Sequence, residues 1–338
     1  MSKRLFFSDI HLHTWSYGAT VDKHGFNSRL SAQRDAIVQM VKDAQEENVE
    51  YAYFTGDLFH IHGTVSTQAL TVAAELFNSL RKAGIKIRTI YGNHDMGNRS
   101  GHLNSLAWLP LEETIGIWED DGGLPVYGLP YTDDQKRLEE FLAAVDKRGG
   151  GMLMLHQGVS GVPLSSGYVL DEKLIPEMIP SNCFAFTGHY HFHRVVVPRL
   201  VVVGNLTPLN WGDLDQQKGW LIWDDRAGSL TQKIQTAAPE FITFTEGMQK
   251  SLVTGKFVRY NTSVTSKEID SIRAELIKEG ARTVEFPQVK INVKQDKIRT
   301  GHDITIEHIL DSVTSADMTP RRREVGSELR ENKYEVSN

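Results

Sequence analysis

The stretch VEYAYFTGDLFH, residues 49–60, contains the pattern that decides the fold. Its first half, residues 49–55, is an apolar run that predicts a buried strand, and this strand ends at Gly56-Asp57. Amphipathic spacing predicts a helix on either side of it, at residues 33–45 and 67–82, and a further strand follows the second helix. Strands that alternate with helices in this way are typical of a layered α/β domain.

Polar residues cluster where the predicted strands end. Five of these clusters carry side chains that bind metals: Asp9-Ile10-His11, Gly56-Asp57, Gly92-Asn93-His94-Asp95, His156-Gln157 and Gly188-His189-Tyr190-His191. In layered α/β sheets the loops beyond the carboxyl ends of the strands converge, and ligands bind there. Any one cluster occurs often by chance, but all five, each beside a strand, predict one shared metal site.

The donor types in these clusters indicate what the site binds. Carboxylate, imidazole and carboxamide ligands without thiolate favour manganese, iron or zinc over a sulfur-rich structural zinc site. Two cations about 3.5–4 Å apart need a carboxylate that bridges them, and the pair then binds a phosphate and lowers the pKa of a water. Glycines beside Asp57, Asn93 and His189 permit the tight turns that such a site needs.

The five clusters resemble the calcineurin-like binuclear metallophosphoesterase family. SbcD-type DNA double-strand-break nucleases and their phage recombination-endonuclease relatives have motifs similar to four longer stretches: Gly56-Asp57-Leu58-Phe59-His60, Gly92-Asn93-His94-Asp95, Tyr127-Gly128-Leu129-Pro130-Tyr131 and Met154-Leu155-His156-Gln157-Gly158. This similarity covers about residues 4–213. It implies a layered α/β/β/α metallophosphoesterase sandwich with a small α+β capping domain and a tail.

The resemblance also implies a role for each residue of the clusters. It implies two divalent metal ions, manganese in the first place, with iron or zinc as alternatives. The residues that it assigns to the first metal are Asp9, His11, Asp57 and His191, with Asp57 bridging. The residues that it adds for the second metal are Asn93, His156 and His189.

Three further residues are expected beside the substrate. The resemblance places His94 at the scissile phosphate, where it acts as a general acid or stabilises the departing oxygen. Asp95 is expected to orient the His94 ring by accepting the hydrogen of its other nitrogen. His60 corresponds to a family histidine that helps to position the phosphate near the metals.

Two positions depart from the family pattern. SbcD-type enzymes usually have glycine two residues after the first histidine, where this chain has His13. We interpret His13 as a residue at the rim of the cleft, with a third ligand or a substrate contact as the alternative. The loop of residues 204–213 lacks a basic residue, whereas relatives often have arginine there. This difference argues against contact between the loop and a phosphate backbone.

Other histidine and aromatic residues lie near the motifs without belonging to them. His62 and His193 are interpreted as solvated or structural, although His193 would share a strand face with His191, which keeps a minor ligand role open. Trp15 and Tyr17 follow the first metal motif. We interpret them as packing residues, with stacking on unpaired bases as the alternative.

The sequence pattern divides the chain into three predicted parts. Residues 1–236 form the binuclear metallophosphoesterase (nuclease) domain. Residues 240–300 form a small α+β capping domain, in which Thr265-Ser266-Lys267-Glu268 is a capping-box pattern that begins a helix between strands. Residues 301–338 form a helical tail, which is a candidate contact for an ATPase partner.

Charge and cysteine content limit the classes of function. The net charge is −6, and residues 237–338 are balanced, so the acidic excess lies in the first part of the chain. An acidic body is not typical of a protein that coats DNA, so a DNA site must depend on local patches or bound cations. The single cysteine, Cys183, and the absence of a signal-peptide or membrane-span pattern predict a cytoplasmic protein of a bacterial cell or a phage-infected host.

These observations favour a metal-dependent DNA nuclease, an exonuclease or endonuclease, in DNA end processing, repair or recombination. The resemblance implies DNA ends, an SbcC-type ABC ATPase with a coiled coil, and a second copy of the chain in a homodimer as its partners. Two alternatives stay open: a metallophosphoesterase that acts on a nucleotide or other small phosphodiester, and a non-catalytic subunit that binds DNA ends or regulates the ATPase. The separate capping unit argues against the first alternative, and the complete ligand set argues against the second.

Overall fold

Strand β1 (Lys3–Phe7) lies at the centre of a five-stranded sheet in the computed structural model, which describes residues 3–290 with gaps at 111, 115–116, 119–122, 165–166, 263 and 288. In spatial order the strands are β11 (Ser229–Ile234), β10 (Gly219–Asp224), β1, β2 (Val49–Phe54) and β3 (Lys86–Thr89). β1, β2 and β3 are parallel, whereas β10 pairs antiparallel with both of its neighbours. The carboxyl ends of three parallel strands therefore meet at one edge of the sheet.

A second sheet has six strands. In spatial order they are β4 (Ile117–Trp118), β5 (Val126–Leu129), β6 (Gly151–His156), β7 (Cys183–Gly188), β9 (Leu200–Val202) and β8 (Arg194–Val197). The last two form an antiparallel hairpin, although the sequence pattern shows one strand-like run over residues 195–203. Pro198 lies in the turn of this hairpin, and proline lacks the N–H that a continuing strand needs.

Three helices cover the outer faces of the two sheets. α1 (Ser28–Glu46) and α2 (Thr67–Lys82) pack on the first sheet, and α3 (Gln135–Lys147) packs on the second. α1 begins before its predicted start at residue 33 because the Asn27 side chain caps it, accepting hydrogen bonds from the backbone N–H groups of Arg29 and Leu30.

Alternating residues of β1 join the two sides of the sheet. Leu5 and Phe7 are buried against the helices, while Phe6 is buried in the layer between the sheets. The Phe6 ring stacks on the Phe186 ring of β7, with centroids 3.7 Å apart and planes 15° apart. Burial of one such side chain contributes about 1.5–3 kcal/mol. The layers thus follow the order α/β/β/α, which confirms the predicted fold class.

A smaller unit follows the second sheet in the chain. Its parallel sheet contains β12 (Phe241–Phe244), β13 (Phe257–Tyr260) and β15 (Thr283–Glu285), and its short strands β14 (Val264–Thr265) and β16 (Val289–Lys290) pair with each other. Helix α4 (Ser266–Lys278) begins at the predicted capping box of Thr265 and Glu268. The sequence pattern does not predict β12. The predicted tail, residues 301–338, lies outside the described residues, and the three domain boundaries stay predictions.

Arg29 of α1 connects the smaller unit with the rest of the fold. Arg29 is 5% exposed, and its guanidinium lies 5.1 Å from the ring centre of Phe257 and 5.7 Å from that of Phe241. It also donates a hydrogen bond of 2.6 Å to the carbonyl oxygen of Leu209. A buried cation is thus stabilised by a carbonyl group and by aromatic faces of the smaller unit.

Trp15 and Tyr17 also take part in this contact, in agreement with their predicted packing role. The Trp15 ring lies 4.8 Å from the Arg29 guanidinium and 4.4 Å from the His60 ring. The Tyr17 hydroxyl donates to Glu285 Oε1 over 2.8 Å. The loop after the first metal motif therefore contacts the smaller unit directly.

Among the described residues, the helices are too short or too polar to cross a bilayer.

Candidate metal centre

The predicted metal ligands lie at the carboxyl ends of parallel strands from both sheets. Asp9 follows β1, Asp57 follows β2 and Asn93 follows β3, while His156 ends β6 and His189 follows β7. The two sheets pack face to face, so these five positions meet at one edge of the sandwich. The fold therefore brings together residues that are far apart in the sequence.

Four residues of this edge have a left-handed backbone. The φ angle is 48° at Asp9, 49° at His11, 60° at Asp57 and 91° at His189. Residues with a Cβ seldom adopt positive φ, since each such position costs about 1 kcal/mol or more. Backbone hydrogen bonds hold the turns, because the Asp9 N–H donates to the carbonyl oxygen of Gly56 over 2.9 Å and the His11 N–H to that of Asp57 over 3.0 Å.

Asp9, His11 and His191 form a first group of possible ligands. Their ligand atoms all lie within 4.8 Å of one another. The Nε2 atoms of His11 and His191 are 3.1 Å apart, and Asp9 and His11 are almost completely buried. Two imidazole nitrogens and a carboxylate that converge on one point are a typical donor set for a divalent cation.

Asp57 forms a second group with Asp9 and His156, and the ligand atoms of these three residues also lie within 4.8 Å of one another. Its Oδ2 atom lies 3.4 Å from His156 Nε2 and 3.5 Å from His11 Nε2. One carboxylate oxygen thus faces both groups.

Asn93 completes the second group with a carboxamide oxygen. Its Oδ1 lies 3.1 Å from His156 Nε2 and 3.0 Å from His189 Nδ1. The other nitrogen of His156, Nδ1, lies 2.6 Å from the carbonyl oxygen of Thr55, so Nδ1 carries a hydrogen. A neutral His156 ring would then direct the lone pair of Nε2 at two acceptor oxygens, those of Asn93 and Asp57. A cation among these atoms removes the conflict, as a proton on Nε2 does in its absence. Nitrogen and oxygen donors that converge in this way fit a divalent metal ion.

The buried carboxylates perturb each other and the nearby imidazoles. Burial raises the pKa of Asp9 to about 7, with a further contribution from the negative charge of Asp57. Burial also acts to raise the pKa of Asp57, but the facing His156 and His11 rings hold it well below its usual range. Burial alone would lower the pKa of His156, yet Asp57 and Asp9 raise it to about 9. A cation that binds here therefore replaces the proton of His156.

The remaining imidazoles are in the form that binds metal. Burial lowers the pKa of His11 and of His191, and it lowers the pKa of His189 to about 4. These rings are therefore neutral at neutral pH. Neutral imidazole is the form that donates a lone pair to a metal ion.

Two glycines leave space for the ligands. A Cβ on Gly92 would lie 2.1 Å from Asp57 Oδ1 and 2.5 Å from His156 Cε1. A Cβ on Gly56, whose φ is 104°, would lie 2.6 Å from His156 Nδ1. Side chains at these positions would displace the ligands, which explains the Gly-Asp and Gly-Asn pairs of the motifs.

His94 and His60, which the resemblance places beside the substrate, lie next to the first group. The His94 ring is 4.7 Å from the His11 ring, and its backbone N–H donates to Asp57 Oδ1 over 2.8 Å. Its Nδ1 atom lies 2.7 Å from the backbone carbonyl oxygen of His60. Burial lowers the pKa of His60 to about 4, with a contribution from His94.

Asp95 has a different position from the one expected. Its carboxylate accepts hydrogen bonds from the backbone N–H groups of Asp57 (2.8 Å), Leu58 (3.0 Å), Phe59 (3.4 Å) and Gly92 (3.0 Å), and from the Ser105 hydroxyl (2.8 Å). Nδ1 of the His94 ring instead faces the backbone carbonyl oxygen of His60. Asp95 therefore holds together the loops that follow β2 and β3. It is not the partner of the His94 ring, so the role expected for it from the resemblance was wrong.

The loop of residues 204–213 contacts a basic residue that sequence reasoning missed. Lys218, just before β10, extends its Nζ to Asp213 Oδ1 over 2.6 Å and to the carbonyl oxygen of His191 over 2.6 Å. Both side chains are about 2% exposed or less. The signal in the sequence was an Asp and a Lys five positions apart, which is indistinguishable from a solvated pair.

The histidines outside the ligand groups have individual surroundings. His193 Nδ1 lies 3.1 Å from the carbonyl oxygen of Val202, and its residue lies before β8, which favours a structural role. His62 is exposed, and its ring stacks on His94 with centroids 4.8 Å apart. His13 is partly buried and lies 5.5 Å from the His60 ring. His13 thus lies next to His60, at the edge of the cluster of histidines.

Comparison with known proteins gives relatives for this chain. DNA double-strand break repair protein Mre11 of Saccharolobus solfataricus is 28% identical over 200 residues, which are 56% of this chain and 50% of that protein. Exonuclease subunit 1 of Enterobacteria phage T4 is 21% identical over 222 residues, which are 64% of each chain. The uncharacterized metallophosphoesterase YhaO of Bacillus subtilis is 31% identical over 106 residues, 31% of this chain and 24% of that protein. The matched segment therefore spans less than two thirds of the length of each relative.

A family profile covers the part of the chain that contains the ligand groups. The profile of the calcineurin-like phosphoesterases matches residues 2–193. This range is more than half of the chain, and it extends from before Asp9 to beyond His191, so it includes every residue of the two groups. The chain belongs to the calcineurin-like phosphoesterase family.

Proposed function

We propose that this chain is a metal-dependent DNA nuclease that hydrolyses backbone phosphodiesters with two divalent cations, manganese in the first place. The observation that carries the proposal is the position of Asp57 Oδ2, which is 3.5 Å from His11 Nε2 and 3.4 Å from His156 Nε2. A carboxylate between two donor groups is what a pair of cations requires, because it offsets their mutual repulsion.

The donor set would be divided between the two cations. Asp9, His11, Asp57 and His191 would hold the first cation, and Asn93, His156 and His189 would hold the second with Asp57. When bound, the cations polarise the phosphoryl oxygens and lower the pKa of a water, so that hydroxide is available at neutral pH. Nitrogen and oxygen donors also accept iron or zinc, so the choice of metal depends on availability.

His94 is the residue that we assign to proton transfer. The carbonyl oxygen of His60 only accepts, so Nδ1 of His94 carries the hydrogen and Nε2 is left for the substrate. When Nε2 is also protonated, it donates to the phosphate and gives its proton to the departing oxygen as the P–O bond breaks. The imidazole of His60 is our candidate for positioning the phosphate.

DNA is the substrate that we infer, in preference to a nucleotide or other small phosphodiester. The names of two relatives describe a DNA double-strand break repair protein and an exonuclease subunit. The smaller unit of β12–β16 and α4 contacts the loop that follows Asp9 and His11, and a small phosphodiester requires no such addition. Two divalent cations add about four positive charges, which offset the acidic body where phosphate binds.

One assay separates these substrates. Purified protein is incubated with manganese and either linear DNA or bis-p-nitrophenyl phosphate, in parallel reactions with and without EDTA. We expect DNA cleavage that EDTA abolishes, and His191→Ala should lose metal by elemental analysis. Intact DNA with cleavage of the small ester would reject the nuclease in favour of a small-phosphodiester enzyme. If neither is cleaved, the non-catalytic role replaces the proposal.

We further propose that the protein works as a homodimer with an SbcC-type ABC ATPase that has a coiled coil, in the cytoplasm of a bacterial cell or a phage-infected host. Residues 1–236 would be the nuclease domain, residues 240–300 the capping domain and residues 301–338 the contact with the ATPase. The name of the phage relative, an exonuclease subunit, supports an assembly. Light scattering of the full chain, alone and co-expressed with such an ATPase, tests both partners. A monomer that does not bind the ATPase would reject them.

A further inference from the structure

A buried ion pair lies directly behind one ligand of the candidate metal centre. Lys218 Nζ and Asp213 Oδ1 are 2.6 Å apart, and their side chains are 1% and 2% exposed. Charges buried to this degree lose their hydration, so they persist only where hydrogen bonds replace it. The hydrogen-bond partners of Lys218 and Asp213 therefore indicate which backbone groups this ion pair positions.

Lys218 uses its three donors on three acceptors. Besides Asp213, its Nζ donates to the carbonyl oxygen of His191 over 2.6 Å and to Gln216 Oε1 over 2.8 Å. An ammonium group has three hydrogens, so these contacts saturate it. One of the three fixes the backbone of a metal ligand.

Asp213 connects the ammonium group to the loop of residues 204–213. Its Oδ2 accepts from the Leu209 N–H over 2.8 Å and from Asn205 Nδ2 over 3.3 Å. The Asn205 N–H in turn donates to the carbonyl oxygen of His191 over 3.3 Å. The same carbonyl group is thus held twice, by Lys218 directly and by the loop that Asp213 organises.

We propose that Lys218 and Asp213 are positioning residues for the metal centre: Lys218 fixes His191 through its carbonyl oxygen, and Asp213 holds Lys218 and neutralises its charge beside the cations. The inference rests on the proposed metal centre. A lone ammonium group here would repel divalent cations, whereas the ion pair is neutral as a whole. Groups that orient the ligands of a metal contribute about 10–100-fold to metal affinity.

The network continues into the smaller unit. Asp215, two residues after Asp213, accepts from the Thr243 N–H over 3.1 Å and from the Thr243 hydroxyl over 2.9 Å. Trp211 of the same loop lies 4.9 Å from the Phe241 ring. The loop that supports His191 therefore also contacts β12. The smaller unit is thus connected, through this loop, to a residue that would hold the first cation.

The test measures metal affinity instead of turnover. Manganese is titrated by calorimetry into the metal-free full-length wild type, Lys218→Met and Asp213→Asn. We expect two sites in the wild type and a 10–100-fold weaker affinity at one of them in each variant. The double variant should lose little more than either single variant, because both act through one carbonyl group. Asp213→Asn changes no volume and provides the answer if Lys218→Met fails to fold.

A matched control separates positioning from general stability. Arg4 is also a fully buried cation, with Asp225 3.6 Å away, but it lies near the amino end of β1, the end opposite to Asp9. Arg4→Met should unfold at a lower temperature and keep wild-type manganese affinity. Folded Lys218→Met and Asp213→Asn with wild-type affinity at both sites would overturn the inference. A wild type that binds no manganese would instead reject the proposed metal centre itself.

Discussion

The Nδ1 atom of His94 lies 2.7 Å from the backbone carbonyl oxygen of His60, so a main-chain group sets the orientation of the ring. A side-chain substitution at position 60 leaves this hydrogen bond in place. The two histidines are therefore separable by mutation, because one supplies an imidazole and the other supplies both an imidazole and a carbonyl oxygen.

His94→Ala should retain both metals and lower the rate of DNA cleavage by about 10²–10⁴-fold, the usual contribution of a positioned acid. Turnover with linear DNA and metal content by elemental analysis measure the two effects. His62→Ala is the control, since the exposed His62 ring stacks on His94 at 4.8 Å and has no assigned role. An unchanged cleavage rate in His94→Ala would contradict its assignment.

Asp95→Asn should destabilise the fold by about 3 kcal/mol and weaken metal binding as well. The carboxylate accepts from four backbone N–H groups and from Ser105, and a carboxamide has one acceptor oxygen for them. Urea unfolding measures the stability. Ser105→Ala removes a single donor, and we expect a loss of about 1 kcal/mol. Equal losses in the two variants would show that Asp95 does not organise these loops.

Gly92→Ala should reduce manganese affinity at least about 10-fold, because the added Cβ would lie 2.1 Å from Asp57 Oδ1. Calorimetric titration with manganese measures the change. Gly97→Ala is a suitable comparison, since its Cβ would come no closer than 3.2 Å to a neighbouring atom. Wild-type affinity in Gly92→Ala would mean that the loops adjust without moving the ligands.

Acid should weaken the fold through Glu47, which binds Lys3 and Lys233 over 2.6 Å each. These hydrogen bonds lower its pKa from 4.5 to about 2. A lowered pKa means that the contribution to stability is complete above about pH 4.5 and is lost as the pH falls towards 2. The pair is partly exposed, so we expect about 1 kcal/mol or less. Unfolding of wild type and Glu47→Gln between pH 2 and 7 tests this, because the difference should vanish at the acid end.

The sequence pattern predicts where five of the proposed ligands lie, because each of them is at or just beyond the carboxyl end of a strand. A strand is a short, strongly patterned element, and the parallel order places its carboxyl end at a known edge of the sheet. Asp9, Asp57, Asn93, His156 and His189 are all found there. The sequence pattern does not predict the hairpin of β8 and β9, because a continuous apolar run does not indicate where the chain reverses its direction. Only Pro198 marks the turn.

The contacts behind the ligands were beyond sequence reasoning. Asp95 belongs to a motif, but whether it faces the His94 ring or the backbone of residues 57–58 depends on the conformation of two loops. Lys218 and Asp213 look like surface charges in the sequence, and only tertiary packing buries them. The sequence therefore shows which polar side chains are present, whereas their hydrogen-bond partners are determined by the folded structure.

The left-handed backbone at Asp9, His11, Asp57 and His189 also bears on how this protein can change over evolutionary time. In the described residues, these four account for most of the six non-glycine positions with positive φ. Selection for stability alone would favour glycine or asparagine there, since either relieves the strained backbone. A descendant that no longer needed the activity should thus lose these four side chains early, while keeping Phe6 and Phe186 in the core.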